Sequence, residues 1–148
     1  MNPATEKERN LAWRLLRQVA GSEQSPEGLV EATERVFDRL YRHLGAVVGP
    51  AGYAALVARA LHLTTRQFAF MGNVRGEARA DDFVMDGLRA SVLGRDPAEA
   101  RPSQVTLLAN LIALLVTFVG EDLALRLIGQ AWPETTGSVG VGGFGVVG

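Results

Sequence analysis

The feature that most constrains the fold is a helical segment that occurs twice, each time around a Val-Gly pair. Leu40–Leu61 aligns with Leu111–Trp132 without a gap, at an offset of 71 residues. Each copy has an apolar helical pattern, then Val48-Gly49 or Val119-Gly120, then a second amphipathic pattern. Glycine ends helices, and proline or an acidic residue suits the first turn of the next one. The repeat predicts two similar helical hairpins. Internal duplication is one interpretation of their similarity, and chance similarity of spaced leucines in two helix–Gly–helix units is the alternative.

Helical periodicity and helix-boundary residues predict an all-α fold, a single bundle of five to six helices. The sequence Ser25-Pro26-Glu27 is a strong start signal, because serine caps a helix and proline fits its first turn. We expect the proline of Arg101-Pro102 to interrupt any earlier helical turn, so that the fifth helix begins just after it. The predicted helices are Ala4–Ala20, Pro26–Val48, Ala51–Leu63, Asp81–Leu93, Ser103–Val119 and Glu121–Trp132.

The composition changes sharply after the last predicted helix. We assign residues 1–134 to one helical domain and residues 135–148 to a Gly/Val-rich C-terminal tail. Its glycine content predicts a flexible tail. The alternative is a tail that docks on its own domain or on a partner through its apolar residues. These residues are Val139, Val141, Phe144, Val146 and Val147.

Composition narrows the classes of protein to which the chain can belong. The chain has 148 residues, no cysteine and a formal net charge of -1, with 47% hydrophobic residues. This profile is typical of a soluble globular domain in a reducing compartment, and we expect a cytoplasmic protein. The near-zero charge disfavours broad capture of nucleic acid or anionic lipid. The apolar run Val105–Val119 is shorter than a membrane span, so it predicts a buried helix.

Two short stretches resemble small all-helical bacterial proteins of unassigned function. The first is Val119-Gly120-Glu121-Asp122-Leu123-Ala124-Leu125-Arg126-Leu127 with Ala131-Trp132-Pro133. The second is Gly49-Pro50-Ala51-Gly52-Tyr53 with Ala58-Arg59-Ala60-Leu61. The resemblance covers the two hairpin turns. It implies a bacterial source and a helical fold, and it carries no catalytic residues over to this chain.

The two histidines do not form a recognisable metal site. A zinc site needs three or four ligands, and the chain offers only His43 and His62, with no cysteine and no HExxH motif. His62 lies at an apolar helix end, which favours a packed or half-exposed side chain. We predict no metal and no cofactor.

Two groups of neighbouring acidic residues are explained better as helix starts than as a catalytic or cation-binding site. Asp82 and Asp86 are four residues apart on the predicted fourth helix, beside Asp81, and paired carboxylates can bind a cation or transfer protons. No basic or histidine partner recurs nearby, so a solvated helix start is the preferred interpretation. Glu121-Asp122 is interpreted in the same way. Neither a nucleophile elbow nor a phosphate loop is present, and we predict a non-enzymatic protein.

The segment Leu56–Phe70 resembles a helix-turn-helix. The turn would lie near His62-Leu63, and Thr64-Thr65-Arg66-Gln67 would start a second helix that meets base edges. The turn lacks its usual glycine, and no basic surround is available to hold phosphates. A surface loop after the third helix is the preferred interpretation, with DNA binding as an alternative.

These observations favour an interaction or regulatory module that acts through apolar helical surfaces. The fifth predicted helix is apolar on nearly every face, so one face could pair with a second copy or with a partner protein. A sensor that binds a small apolar ligand between helices is a further alternative. We expect most of the larger aromatic residues to lie in the core or to clamp the hairpins. They are Trp13, Trp132, Phe37, Phe68, Phe70 and Phe118.

Overall fold

A computed structural model describes residues 4–132 and shows a helical bundle with one small β-hairpin. The tail and the domain boundary predicted at residue 134 lie outside the described residues. The predicted all-α bundle is confirmed for the part that is described. In chain order the elements are α1 (Glu6–Ala20), α2 (Pro26–Val48), α3 (Pro50–Thr65), a 3₁₀ helix (Ala69–Asn73), β1 (Arg75–Ala78), β2 (Phe83–Asp86), α4 (Leu88–Val92), α5 (Pro97–Val119) and α6 (Glu121–Ala131).

Helix α2 has the boundaries that its sequence predicts. The Ser25 hydroxyl accepts a hydrogen bond from the Gly28 backbone N–H at 3.1 Å, and Pro26 occupies the first turn. Apolar residues at helical spacing form a stripe along α2 that is buried from Leu29 to Leu44. On the opposite face, Asp38 accepts a hydrogen bond from Arg42 at 2.9 Å, as their four-residue spacing predicts.

Helix α5 begins at Pro97, so the predicted interruption at Arg101-Pro102 is wrong. Asp96 caps the helix, because its side chain accepts a hydrogen bond from the Ala98 N–H at 3.0 Å. Pro102 then lies inside the second turn and removes only one backbone donor. The cap and the burial of the following turns outweigh that loss.

The segment between the hairpins contains strands where the sequence analysis predicted one helix over Asp81–Leu93. Strands β1 and β2 pair antiparallel, with Gly76 opposite Met85 and Ala78 opposite Phe83. Phe83 and Met85 are buried while the alternate positions are more exposed, which is the two-residue period of a strand. Helix α4 is reduced to Leu88–Val92, so the predicted longer helix is wrong.

Helix α5 is the central element of the core and packs against α1, α2, α3 and α6. Its residues Leu107–Ile112 are all buried. Helices α2 and α5 start side by side, because Pro26 and Pro97 line the same cavity. About two turns further along both helices, the Thr33 hydroxyl donates a hydrogen bond to the Gln104 side-chain carbonyl at 2.7 Å. The two helices therefore run in the same direction from a shared end.

The two hairpins match closely in their boundaries. Helices α2 and α5 each have 23 residues, and each ends at a glycine that caps it and precedes the next helix. The two glycines share an unusual backbone conformation, with φ 82° and ψ 154° at Gly49 and φ 93° and ψ 153° at Gly120. The helical hairpins themselves are thus confirmed, and their origin by duplication stays a prediction.

By length and apolar composition alone, α5 could cross a membrane, a test that core helices of soluble proteins also pass. It is longer than the apolar run Val105–Val119 because it includes the polar turns after Pro97. Within its most apolar 18-residue window, 61% of the residues are buried inside the bundle. That burial fits its central position in the core.

Candidate functional site

Two large hydrophobic side chains are exposed among the described residues, and they occupy equivalent positions in the two hairpins. Val47 is 51% exposed and Phe118 is 65% exposed. Each lies two residues before the glycine that ends its helix, and the two are separated by the repeat offset. We call this pair the apolar end patch.

The directions of α2 and α5 place both members of the patch away from the end where the two helices begin. Because the helices start together and run the same way, Val47 and Phe118 lie in the last turns of parallel elements. The neighbouring Val48 and Val119 are partly buried and pack on the core. Each member of the patch is therefore followed in the chain by a valine that packs on the core.

Sequence patterning misplaced both residues of the patch. Val47 continues the apolar spacing of α2 and is nevertheless exposed, and the prediction that Phe118 lies in the core or at a hairpin clamp is wrong. The stripe extends beyond the neighbouring helices that cover it, which periodicity cannot reveal. Their shared place in the last turn before a Val-Gly joint is the signal that could have identified them.

The other aromatic residues mostly follow the prediction. Phe37 and Trp132 are fully buried. Trp13, Phe68 and Phe70 are partly buried and pack against the core. Phe68 and Phe70 meet edge to face, with ring centroids 6.0 Å apart. These contacts explain the rings as packing groups.

The structure does not bring the two histidines together in a metal site. His43 lies on α2, and its Nδ1 is 3.0 Å from the Arg39 carbonyl oxygen. His62 lies in the last turn of α3, where its side chain is exposed rather than packed in the core. Within residues 4–132, no three histidine, cysteine, aspartate or glutamate side chains are grouped to hold a metal ion.

The acidic pairs do not form a site either. Asp82 and Asp86 flank and end strand β2 instead of sharing a helix face, so a four-residue spacing separates them by about 13 Å along the strand. At the start of α6, Glu121 pairs with Lys7 of α1. Lys7 donates a hydrogen bond to the Glu121 carboxylate, and this bond together with the negative charge of Glu121 raises the pKa of Lys7. Both side chains are largely exposed, so this ion pair contributes little to stability.

The segment Leu56–Phe70 does not have helix-turn-helix geometry. Helix α3 continues through His62 and Leu63 to Thr65, where a turn was predicted. Thr64 is fully buried: its hydroxyl donates to the Ala60 carbonyl at 2.7 Å and accepts a hydrogen bond from the Asn110 amide at 3.1 Å. A buried threonine cannot meet base edges, so the alternative in which Thr64 starts a recognition helix is wrong.

A small cavity lies where α2 and α5 begin, between residues that include Leu29, Val92 and Ala100. Its volume is about 250 Å³. Pockets that hold drug-sized ligands usually measure about 300–1,000 Å³. The space between these helices is therefore small for the predicted apolar ligand, and that alternative stays a prediction.

Comparison with known proteins adds no constraint on the function. No family model, no curated protein and no solved structure matches this chain.

Proposed function

We propose that this chain is a non-enzymatic interaction module that self-associates through the apolar end patch. The observation that carries the proposal is the exposure of Phe118, a large aromatic side chain that is 65% exposed at the end of the central helix of the core. Water contact with such a side chain is unfavourable, and burying it fully contributes about 1.5–3 kcal/mol. A partner surface would recover that free energy.

The repeat favours a second copy of the chain as the partner. A twofold interface uses the same surface on both subunits, so each residue of the patch must face a complementary residue of the other copy. Val47 and Phe118 already present similar apolar groups at equivalent ends of two parallel helices. The formal net charge of -1 imposes little repulsion between two copies.

The proposal is tested by the molar mass of the full chain in solution, measured by light scattering over a range of concentrations. We expect a discrete oligomer for the unmodified chain. Phe118→Asp buries a charge at the interface, and it should weaken association by about tenfold or more. Phe118→Leu is the matched control, because it keeps an apolar side chain and should keep the oligomer.

Circular dichroism of each variant separates a loss of association from a loss of folding. Phe118 is mostly outside the core, so Phe118→Asp should keep the helical signal of the unmodified chain. A monomer at every concentration, or an unchanged mass for Phe118→Asp, would refute the proposal. A regulatory role and a cytoplasmic, bacterial setting complete the proposed function, and these rest on composition and resemblance.

A further inference from the structure

The apolar end patch and the C-terminal tail match each other in chemistry. Val47 and Phe118 are the large hydrophobic side chains that are exposed within residues 4–132. Residues 135–148 include no charged side chain, and they carry five large apolar ones between Val139 and Val147. Packing such a segment on an apolar surface takes no side-chain charge out of water. The tail therefore has the composition that this patch would accept.

The described part of the chain ends near the level of the patch along the bundle. Trp132 lies against α2, with the Arg39 guanidinium 5.4 Å from its ring centroid. Val47 is eight residues beyond Arg39 in the same helix, which is about 12 Å along the axis. Phe118 lies just before the start of α6, and the 11 residues of that helix separate it from Trp132 by about 17 Å along the axis.

The tail is long enough to reach both members of the patch from that point. An extended chain spans about 3.3 Å per residue, so residues 133–138 reach up to about 20 Å. Val139 and the residues after it can therefore lie at the level of the patch. Glycines separate Val139, Val141 and Phe144, and a backbone without a Cβ can approach another surface closely.

The surface nearest to the start of the tail suits it less well. The cleft beside Trp132 has a volume of about 460 Å³, and the residues that line it include Arg35, Asp38, Arg39 and Arg42. An apolar segment laid over charged groups would remove them from water without offering them new partners, which is unfavourable. The two exposed side chains of the apolar end patch carry no charge, so covering them has no such cost.

We propose that residues 139–147 of the tail pack on the apolar end patch of their own chain and compete there with a second copy. This inference rests on the proposed function, because it assigns a regulator to the surface through which the chain self-associates. A segment tethered by a short linker has an effective concentration of about millimolar at its site. The tail therefore covers the patch in the separate chain, and a second copy must displace it.

The test places a nitroxide spin label in the tail of the full chain and records NMR spectra at a concentration where the chain is monomeric. The chain has no cysteine, so Ser138→Cys gives a single attachment site. We expect the amide signals of Val47 and Phe118 to be broadened more strongly than that of Gln18. Gln18 lines the same cleft as Trp132, where the tail begins, so a tail that does not dock would broaden Gln18 most.

Substitutions at Phe144 show whether the broadening depends on an apolar contact. Phe144→Asp should reduce the broadening of Val47 and Phe118 to below that of Gln18, because a carboxylate does not pack on an apolar surface. Phe144→Leu is the matched control and should keep the parent pattern. The inference is overturned if Gln18 is broadened most in the parent, or if Phe144→Asp changes nothing.

A mixture of spin-labelled chain with isotope-enriched, unlabelled chain separates contacts within one chain from contacts between copies. Only the enriched chain is detected, so broadening in the mixture would come from the tail of another molecule. We expect none at Val47 or Phe118. Broadening of the same size as in the singly labelled sample would show that the tail docks on a neighbouring copy, and it would overturn the inference.

Light scattering of the Phe144 variants connects docking with self-association. Phe144→Asp should lower the dissociation constant of the oligomer by about threefold or more, because the patch is then free for a second copy. Phe144→Leu should stay within about twofold of the parent. Unchanged or weaker association of Phe144→Asp would overturn the competition. If every variant stays monomeric while the broadening still depends on Phe144, the proposed self-association fails and the docking of the tail stands.

Discussion

Tyr53 shows how one buried hydroxyl joins several elements. Its side chain is fully buried, and its hydroxyl donates to the Phe37 carbonyl oxygen at 2.7 Å. Its ring meets Phe83 of β2 edge to face, with centroids 4.9 Å apart. Burial raises the pKa of Tyr53 well above its ordinary value, and the negative charge of Asp38 raises it further. Tyr53 thus connects α3 to α2 and to the β-hairpin.

The raised pKa of Tyr53 predicts a loss of stability in alkaline solution. Above pH about 10 the unfolded chain releases the phenolic proton while the folded chain retains it. The free energy of unfolding should therefore fall as the pH rises through and beyond about 10. Urea unfolding at several pH values measures this slope, and Tyr53→Phe should reduce it. Equal slopes in both proteins would contradict the assignment.

At the scale of elements, the joints between helices depend on glycine. Gly49 and Gly120 have positive φ and extended ψ, a conformation that is essentially restricted to glycine. A Cβ at either position would meet no atom within 4 Å, so the constraint comes from the backbone alone. This joint lets an apolar helix end and a second helix start at the next residue.

Replacing either joint glycine by alanine should destabilise the fold by about 1–3 kcal/mol through backbone strain. Gly45→Ala is the matched control, because Gly45 lies inside α2 and a Cβ there would contact the Tyr41 ring at an ordinary 3.6 Å. Alanine in a helix is favoured over glycine by about 0.5–1 kcal/mol, so this control should be stabilising. Chemical denaturation of the three variants distinguishes strain from a general intolerance of a methyl group.

The β-hairpin is the element for which the sequence offered the weakest signal. Each strand has four residues, which is too short for an alternating pattern to stand out from a helical one. A Cβ on Gly76 would be 2.7 Å from both Phe83 Cζ and Val57 Cγ1, so the hairpin packs closely on α3. That contact joins residues far apart in the chain, and no local pattern encodes it.

At the scale of the whole molecule, the two helical hairpins contact each other through equivalent residues. Thr33 and Gln104 are separated by the repeat offset of 71 and bond to each other. Both side chains are buried, and the Gln104 amide also donates to the Ala100 carbonyl at 3.1 Å. Contact between equivalent residues is what a local twofold axis between the hairpins would produce.

This buried pair predicts strongly non-additive effects of mutation. Thr33→Val leaves the Gln104 carbonyl buried without that donor, so it should cost about 1–3 kcal/mol of unfolding free energy. The double variant Thr33→Val/Gln104→Leu removes both polar groups and should recover part of the loss. Urea unfolding of the single and double variants checks the coupling. Additive losses would mean that the two side chains do not depend on each other.

Much of the helical architecture could be predicted from the sequence, because its signals are local. Capping by Ser25, the proline at position 26 and the Val-Gly joints act within a few residues of each helix boundary. The buried stripe of α2 also follows from local apolar spacing. Pro102 misled the prediction, since a local stop signal was outweighed by the cap at Asp96 and by core packing.

The sequence by itself determined that this chain forms helical hairpins around two glycine joints, because periodicity, caps and backbone restrictions are local properties. Tertiary structure alone decided which apolar residues lie outside the core. Val47 and Phe118 fit the apolar spacing of their helices and are nevertheless exposed, since no helix within residues 4–132 extends over them. It also decided that the β-hairpin packs on α3, because Gly76, Phe83 and Val57 come from distant parts of the chain.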